Sequence, residues 1–173
     1  MPEERWPPLV RAAHNGRLEA LQTAIARGDD IDFPLGTPYG TAVGATALVV
    51  AILYPEKDRR DAMVSTLLAA GADVHIAADD GSTAIMVAVQ NGLTSITALL
   101  LEAGADVEGP INRNHLIHAA QKGHRDVVQL LIEAGAAVDV YSPEPVDATP
   151  LIMAAAKVTD SLPPTPDWAI TAS

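Results

Sequence analysis

The sequence predicts an all-α fold in which short helix-turn-helix units stack into one solenoid. An eight-residue segment occurs as LLAAGADV (67–74), LLEAGADV (100–107) and LIEAGAAV (131–138), with a divergent copy, AIARGDDI (24–31). The glycines of these four segments, at 28, 71, 104 and 135, are 43, 33 and 31 residues apart. Self-similarity at such a period indicates a repeat architecture, in which each unit buries the apolar face of the next.

Each unit contains two apolar stripes at helical spacing, separated by a glycine. In the fourth unit Leu116, Ala119 and Ala120 form the first stripe, Gly123 follows, and a second stripe at i, i+3, i+4 and i+7 runs over 127–134. Glycine readily adopts the left-handed conformation that ends a helix. The third unit has the same plan, with Ile85, Ala88, Gly92, Ile96, Leu99, Leu100 and Gly104. Each unit is therefore predicted to be helix, tight turn, helix and extended loop.

The repeats are expected in a single domain spanning 1–173. We place them at about 7–33, 44–76, 79–109 and 112–140, with a degenerate fifth copy at 147–173. The fifth begins with Thr149-Pro150, a helix N-cap followed by proline at the first helical position. It then enters a proline-containing segment, 160–173, in which either a short capping helix forms or the repeat is cut short.

These units resemble ankyrin repeats. That family's pattern has a TPLHxAAxxG helix start and an LLxxGAD helix end at a period of 33 residues, and DGSTAIMVAVQNG (80–92), ALLLEAGADV (98–107) and HAAQKGHRDVVQLLIEAGA (118–136) match it closely. The resemblance covers about 7–158. It implies L-shaped units with β-hairpin loops, stacked into a curved solenoid that binds other proteins along its hairpin tips and inner helices.

The chain departs from the family pattern at several places. The first connection (33–45) is long, and the second repeat has four extra residues in LYPEKDRRDAM (53–63). Thr23 and Ala24 occupy positions where later copies have larger residues, which fits an N-terminal capping repeat with one solvent-exposed face. In the fourth repeat Ala137 replaces a loop aspartate, which predicts a looser hairpin there. That aspartate, present as Asp30, Asp73 and Asp106, is expected to accept backbone N–H bonds within its loop.

Composition excludes several functional classes. The net charge of −11 argues against nucleic acid, whose binding needs Lys and Arg on phosphates, and against anionic membranes. The chain contains no cysteine, no apolar run of membrane-spanning length and no signal peptide in MPEERWPPLV (1–10), so we expect a cytoplasmic monomer.

Few residues are candidates for metal binding or catalysis. His115 and His118 are three residues apart and His124 follows at the next helix start, a spacing that could share a metal ion. The simpler interpretation is that His124 bonds backbone between layers, as the ankyrin resemblance implies, and that His118 lies on the inner-helix surface. The sequence has no GxSxG motif and no phosphate-binding loop. The segment ADDGST (78–83) lacks the later glutamate that a calcium-binding loop needs, and we predict that it forms a hairpin tip. We therefore expect no cofactor and no catalysis.

The charge distribution suggests a basic partner. No Lys or Arg occurs from Asp61 to Asn112, whereas seven carboxylates do. These acids either only solvate the loops or steer a basic protein surface to this region.

The resemblance to ankyrin repeats implies that the hairpin tips and the ends of the inner helices contact a partner. The candidate residues are His14, Asn15, Leu53, Tyr54, Asp79, Asp80, Ser82, Gln90, Asn91, Ile111, Arg113, Gln121 and Lys122. Tyr54, Arg59 and Arg60 form a second candidate patch, unless Tyr54 only packs within its own loop. The predicted function is non-catalytic protein binding. The alternatives are a dedicated inhibitor or immunity-type protein that neutralises a basic enzyme, and a fragment of a larger repeat scaffold.

Overall fold

The computed structural model describes residues 6–34, 45–109 and 114–137. In these ranges the protein forms eight helices in four antiparallel pairs. Their bounds are α1 Pro8–His14, α2 Leu18–Ala26, α3 Ala47–Ile52, α4 Lys57–Ala69, α5 Ala84–Gln90, α6 Thr94–Glu102, α7 His115–Lys122 and α8 Arg125–Glu133. The prediction of an all-α stack of helix-turn-helix units is confirmed. The proposed fifth repeat, with Thr149-Pro150, lies outside the described residues.

The helices pack in two rows. Odd-numbered helices contact one another in the order α1, α3, α5, α7, here called the inner row, and even-numbered helices form the outer row in the same order. Each inner helix has a buried alanine at the fifth position after its N-cap, which permits close approach; these are Ala12, Ala51, Ala88 and Ala119. The outer row buries Leu67, Leu100 and Leu131 at one equivalent position, where the first repeat has the smaller Ala24. The core is therefore thin, aliphatic and continuous through all layers.

A glycine turn joins the inner to the outer helix in three of the four pairs. At Gly123, φ is 75°, and the N–H of His124 then donates to the carbonyl of Ala119 at 2.9 Å. The equivalent bond in the third pair runs from Leu93 N to Ala88 O at 3.0 Å. These bonds satisfy carbonyls that the end of the helix leaves without an intrahelical partner.

The second pair lacks this glycine and uses its four extra residues differently. Helix α4 has 13 residues, whereas α2, α6 and α8 have nine each, so the insertion adds one turn to the outer helix. Lys57 Nζ and Asp61 Oδ2, four residues apart in this added turn, are 2.6 Å apart.

The loops are held by aspartate side chains. Oδ1 of Asp30, Asp73 and Asp106 accepts the backbone N–H two residues further on, at 3.1, 2.8 and 3.0 Å respectively. This confirms the role expected for the repeated loop aspartate. The predicted hairpin tip at 78–83 is also present, as a turn closed by an isolated antiparallel bridge between Ala77 and Thr83. Among the described residues the loops contain no longer strand.

None of the helices in the described ranges is both long enough and apolar enough to cross a membrane.

Candidate functional site

The inner row exposes side chains at three equivalent positions of every helix. These are the fourth, seventh and eighth residues after the N-caps Pro7, Thr46, Thr83 and Asn114, and they share one helical face because residues three and four apart are neighbours. We call this set the inner strip: Arg11, His14 and Asn15; Val50, Leu53 and Tyr54; Val87, Gln90 and Asn91; His118, Gln121 and Lys122.

The middle of the inner strip is apolar. Leu53 is 56% exposed, the most exposed of the large hydrophobic side chains in the described residues, and Val50 and Val87 are half-buried beside it in the row. The sequence-based candidates included the helix ends but missed Arg11, Val50, Val87 and His118. These four residues could have been found from the sequence, because each lies four residues after the N-cap of its helix.

Two candidate polar residues also have structural roles. Asn15 Nδ2 donates to the carbonyl of Arg11 at 3.0 Å, and Asn91 Nδ2 donates to the carbonyl of Val87 at 2.8 Å. Each amide thus adds a second hydrogen bond to a carbonyl that already accepts the backbone N–H of the same asparagine. His14 packs edge-on against Trp6, with ring centroids 4.8 Å apart.

The predicted hairpin residues lie at the other end of the inner helices. Asp79, Asp80 and Ser82 precede the start of α5. Gln90 is its last residue and Asn91 follows it, about 10 Å away along seven helical residues. Asp79 and Asp80 are exposed, and Asp80 Oδ1 accepts the N–H of Ser82 at 2.8 Å. The two candidates of the next tip, Ile111 and Arg113, lie outside the described residues.

Charge is segregated between the two rows. None of the four inner helices contains Asp or Glu, whereas every outer helix contains at least one. The remaining carboxylates of the described residues lie in loops and turns, including Asp73, Asp79, Asp80 and Asp106. A partner that spans the inner row would therefore meet apolar and basic groups on the helices and acidic groups on the loops.

Two aromatic rings lie across glycine turns of neighbouring repeats. The ring of Tyr54 packs so closely on Gly16 that a Cβ there would overlap its Cζ and hydroxyl. In the same way His124 covers Gly92, where a Cβ would lie 2.6 Å from Nδ1, and its Nε2 donates to the carbonyl of Gln90 at 3.1 Å. Tyr54 and His124 therefore each join two layers.

The second candidate patch is organised around Tyr54. Arg60 Nη1 donates to the carbonyl of Tyr54 at 3.1 Å and Arg59 Nη1 to its hydroxyl at 3.4 Å. That hydroxyl and the carboxylate of Glu56 raise the pKa of Arg59, which stays charged. Arg59 is exposed, whereas only 14% of the Arg60 side chain is. Of the three residues, Arg59 has the most surface available to a partner.

Two of the three histidines considered as metal ligands bond to backbone carbonyls. His124 bonds Gln90, whereas Nδ1 of the buried His115 donates to the carbonyl of Val107 at 3.2 Å. Throughout the described ranges, no three His, Asp or Glu side chains are placed to hold a metal ion.

His115 makes the fold sensitive to acid. Burial lowers its pKa below the ordinary 6.5, although the bond to Val107 and the charge of Asp106 oppose this shift. The unfolded chain takes up a proton as the pH falls below about 6.5, whereas the folded chain resists it, so stability is lost as the pH falls toward the folded pKa.

We expect wild type to lose more unfolding free energy between pH 7 and pH 5 than His115→Gln, measured by urea denaturation at each pH. The exposed His75→Gln is the control and should follow wild type. Equal losses in His115→Gln and wild type would contradict this assignment.

The start of the stack has an open groove of about 820 Å³ between α1 and α2, lined in part by Arg11, Arg17, Thr23 and Arg27. Its polar lining agrees with a capping repeat whose outer face meets water.

Comparison with known proteins agrees with this architecture. A family model described as ankyrin repeats (three copies) matches residues 56–142, half of the chain. A search of curated proteins found no match. The matched range includes α4 to α8, in which the glycine turns, loop aspartates and stacked rows recur. The chain therefore belongs to the ankyrin-repeat family.

Proposed function

We propose that the protein binds a partner protein, without catalysis, through the inner strip and the adjoining hairpin tips. Ankyrin repeats are generally protein–protein interaction modules, which is the coarse part of this statement. The observation that supports the face is the exposed Leu53 at the centre of the strip, with Val50 and Val87 on the neighbouring positions. The fully buried core of a protein interface is more apolar than its polar rim, and this arrangement has the same pattern.

The charges favour a partner with a basic surface. The loops on the hairpin side of the inner row present Asp73, Asp79, Asp80 and Asp106, and no Lys or Arg lies between Asp61 and Asn112. A net charge of −11 also attracts basic proteins over distances comparable to the Debye length, about 8 Å at physiological salt. We therefore propose that apolar contacts on Leu53 provide affinity and that the loop carboxylates increase the association rate.

Affinity capture from a lysate, followed by calorimetry with the purified partner, tests the face. Leu53→Asp should weaken binding at least about tenfold, because it places a charge in the apolar centre. Asp79→Lys should mainly slow association, and this effect should shrink at high salt. Asp79 is the better probe of the tip because Asp80 also holds its loop.

Ile132→Asp is the matched control, since Ile132 is an exposed apolar residue (37%) on the outer helix α8. It should leave affinity unchanged. Equal weakening by Leu53→Asp and Ile132→Asp, or no weakening by either, would move the binding face away from the inner strip.

A further inference from the structure

Loop carboxylates join neighbouring repeats at two of the three interfaces. Asp32, two residues after the loop aspartate of the first repeat, accepts the backbone N–H of Asp73 through Oδ1 at 3.0 Å. Glu108, at the equivalent place in the third repeat, accepts the N–H of Ala137 through Oε1 at 2.6 Å. Glu108 also accepts from Asn114 Nδ2 at 3.0 Å.

The middle interface has a histidine at this position. His75 occupies the place of Asp32 and Glu108, is exposed, and makes no equivalent bond to the N–H of Asp106 within the described residues. A cavity of about 280 Å³ lies there instead, lined by Val74, His75, Thr83, Ile85, Asp106, Gly109 and His115. This volume is just below the range of pockets for drug-sized ligands, and it suits a single long side chain.

Two polar side chains of this cavity, His115 and Asp106, present acceptor atoms. Nδ1 of His115 donates to Val107, so the neutral ring has its lone pair on Nε2, which is buried without a hydrogen-bond partner in a residue only 1% exposed. Asp106 uses Oδ1 for the N–H of Glu108, and no bond occupies its other oxygen within the described part of the chain. An enclosed acceptor without a donor is costly, so a ligand with several donors would be stabilised here.

None of the described residues that line the cavity is Lys or Arg, so none of them supplies such a donor. A guanidinium group has five N–H donors in a planar fork and can bridge two separate acceptors, which a lysine ammonium does less well.

We propose that this cavity receives one arginine side chain of the partner protein, whose guanidinium donates to the Asp106 carboxylate and to His115 Nε2. The proposal rests on the proposed function, which supplies a basic partner, and adds the pocket that recognises it. Val74, His75 and Thr83 belong to the second loop and Asp106 and Gly109 to the third, so the arginine enters between these two loops.

The test uses the isolated protein and two small probes. Nα-acetyl-arginine methylamide should shift the NMR signals of Thr83, Ile85 and His115 with millimolar affinity. The citrulline analogue has nearly the same shape without the charge, and should cause no shift at up to about 50 mM. No shift with the arginine probe, or equal binding of both probes, would overturn the proposal.

Two matched variants locate the site. Asp106→Asn removes the charge but keeps the Oδ1 that holds the loop, and should weaken the arginine probe about tenfold. Asp73→Asn makes the same change in the preceding loop, where Oδ1 holds His75 N, and should alter affinity by no more than about twofold because Asp73 does not line the cavity. Equal loss in both variants would show general charge attraction and overturn the pocket.

The outcomes separate this proposal from the proposed function. If the partner is captured through Leu53 but the arginine probe does not bind, the pocket fails and the binding face stands. If the probe binds and Leu53→Asp leaves capture intact, the pocket stands and the face fails.

Discussion

Replacing Leu100 with alanine should lower the free energy of unfolding by about 2–5 kcal/mol. Leu100 has no exposed surface and belongs to α6, which packs between α4 and α8 in the outer row. Truncation leaves a cavity that both neighbouring layers border, and the short helices have little freedom to close it. Guanidinium or urea denaturation followed by circular dichroism measures the loss.

The exposed leucine of the inner strip provides the control for this substitution. Leu53→Ala removes the same atoms from a side chain that is 56% exposed, and should change the unfolding free energy by no more than about 0.5 kcal/mol. A loss below about 1 kcal/mol for Leu100→Ala would mean that the outer row is not a continuous packed layer.

The repeat pattern made most of this fold predictable. Leu67, Leu100 and Leu131 could be recognised as one structural position because the eight-residue segment around them recurs. The loop aspartates were predictable for the same reason, since a short polar side chain next to a glycine turn has few roles other than bonding nearby backbone. Both the helix ends and the loop hydrogen bonds were therefore predictable from the spacing of residues within one repeat.

The four-residue insertion could be located but its structure could not. LYPEKDRRDAM (53–63) contains a proline and many charges, which in isolation favour a loop. In the fold its charged residues form the first turns of α4, supported by the Lys57–Asp61 pair and by Arg60 bonding back to Tyr54. Residues 55–59 are exposed, so the extra turn at the start of α4 displaces no neighbour.

The candidate site was only partly predictable. The helix ends, the 78–83 tip and the absence of Asp and Glu from the inner helices could be found from the repeat alignment. Which side chains are exposed, such as Leu53, depends on the face that each helix presents. The backbone bond of His124 between layers was predicted and is confirmed. The carboxylate contacts between layers were missed, because Asp32 and Asp73 are 41 residues apart and no local pattern connects them. His75 became informative only once its equivalents, Asp32 and Glu108, were seen to bridge repeats.

Replacing Gly16 with alanine should destabilise the protein by about 2–5 kcal/mol. Gly16 has a φ of 62°, and a left-handed alanine costs about 1–2 kcal/mol. In addition its Cβ would overlap the Tyr54 ring, and such overpacking costs about 1–3 kcal/mol. Denaturation under the same conditions as for Leu100→Ala measures the change.

Gly28→Ala separates the two causes. Gly28 also has a positive φ, 82°, but a Cβ there meets nothing within 4 Å, so only the backbone cost of about 1–2 kcal/mol should appear. If Gly16→Ala costs no more than Gly28→Ala, the tyrosine ring moves aside freely and does not join the first two layers.

A double-mutant cycle with Tyr54→Ala decides what Tyr54 does. Removing the ring should relieve the overlap, so Gly16→Ala with Tyr54→Ala should be less destabilised than the sum of the single changes by about 1–3 kcal/mol. Gly28→Ala with Tyr54→Ala should be additive within about 0.5 kcal/mol, since Tyr54 does not approach Gly28. Coupling to Gly16 would make Tyr54 a structural contact between repeats, and its loss would then weaken partner binding only by loosening α1 against α3. Without coupling, the ring does not hold the first repeat against the second, and Tyr54 becomes a direct binding residue beside Leu53 in the inner strip.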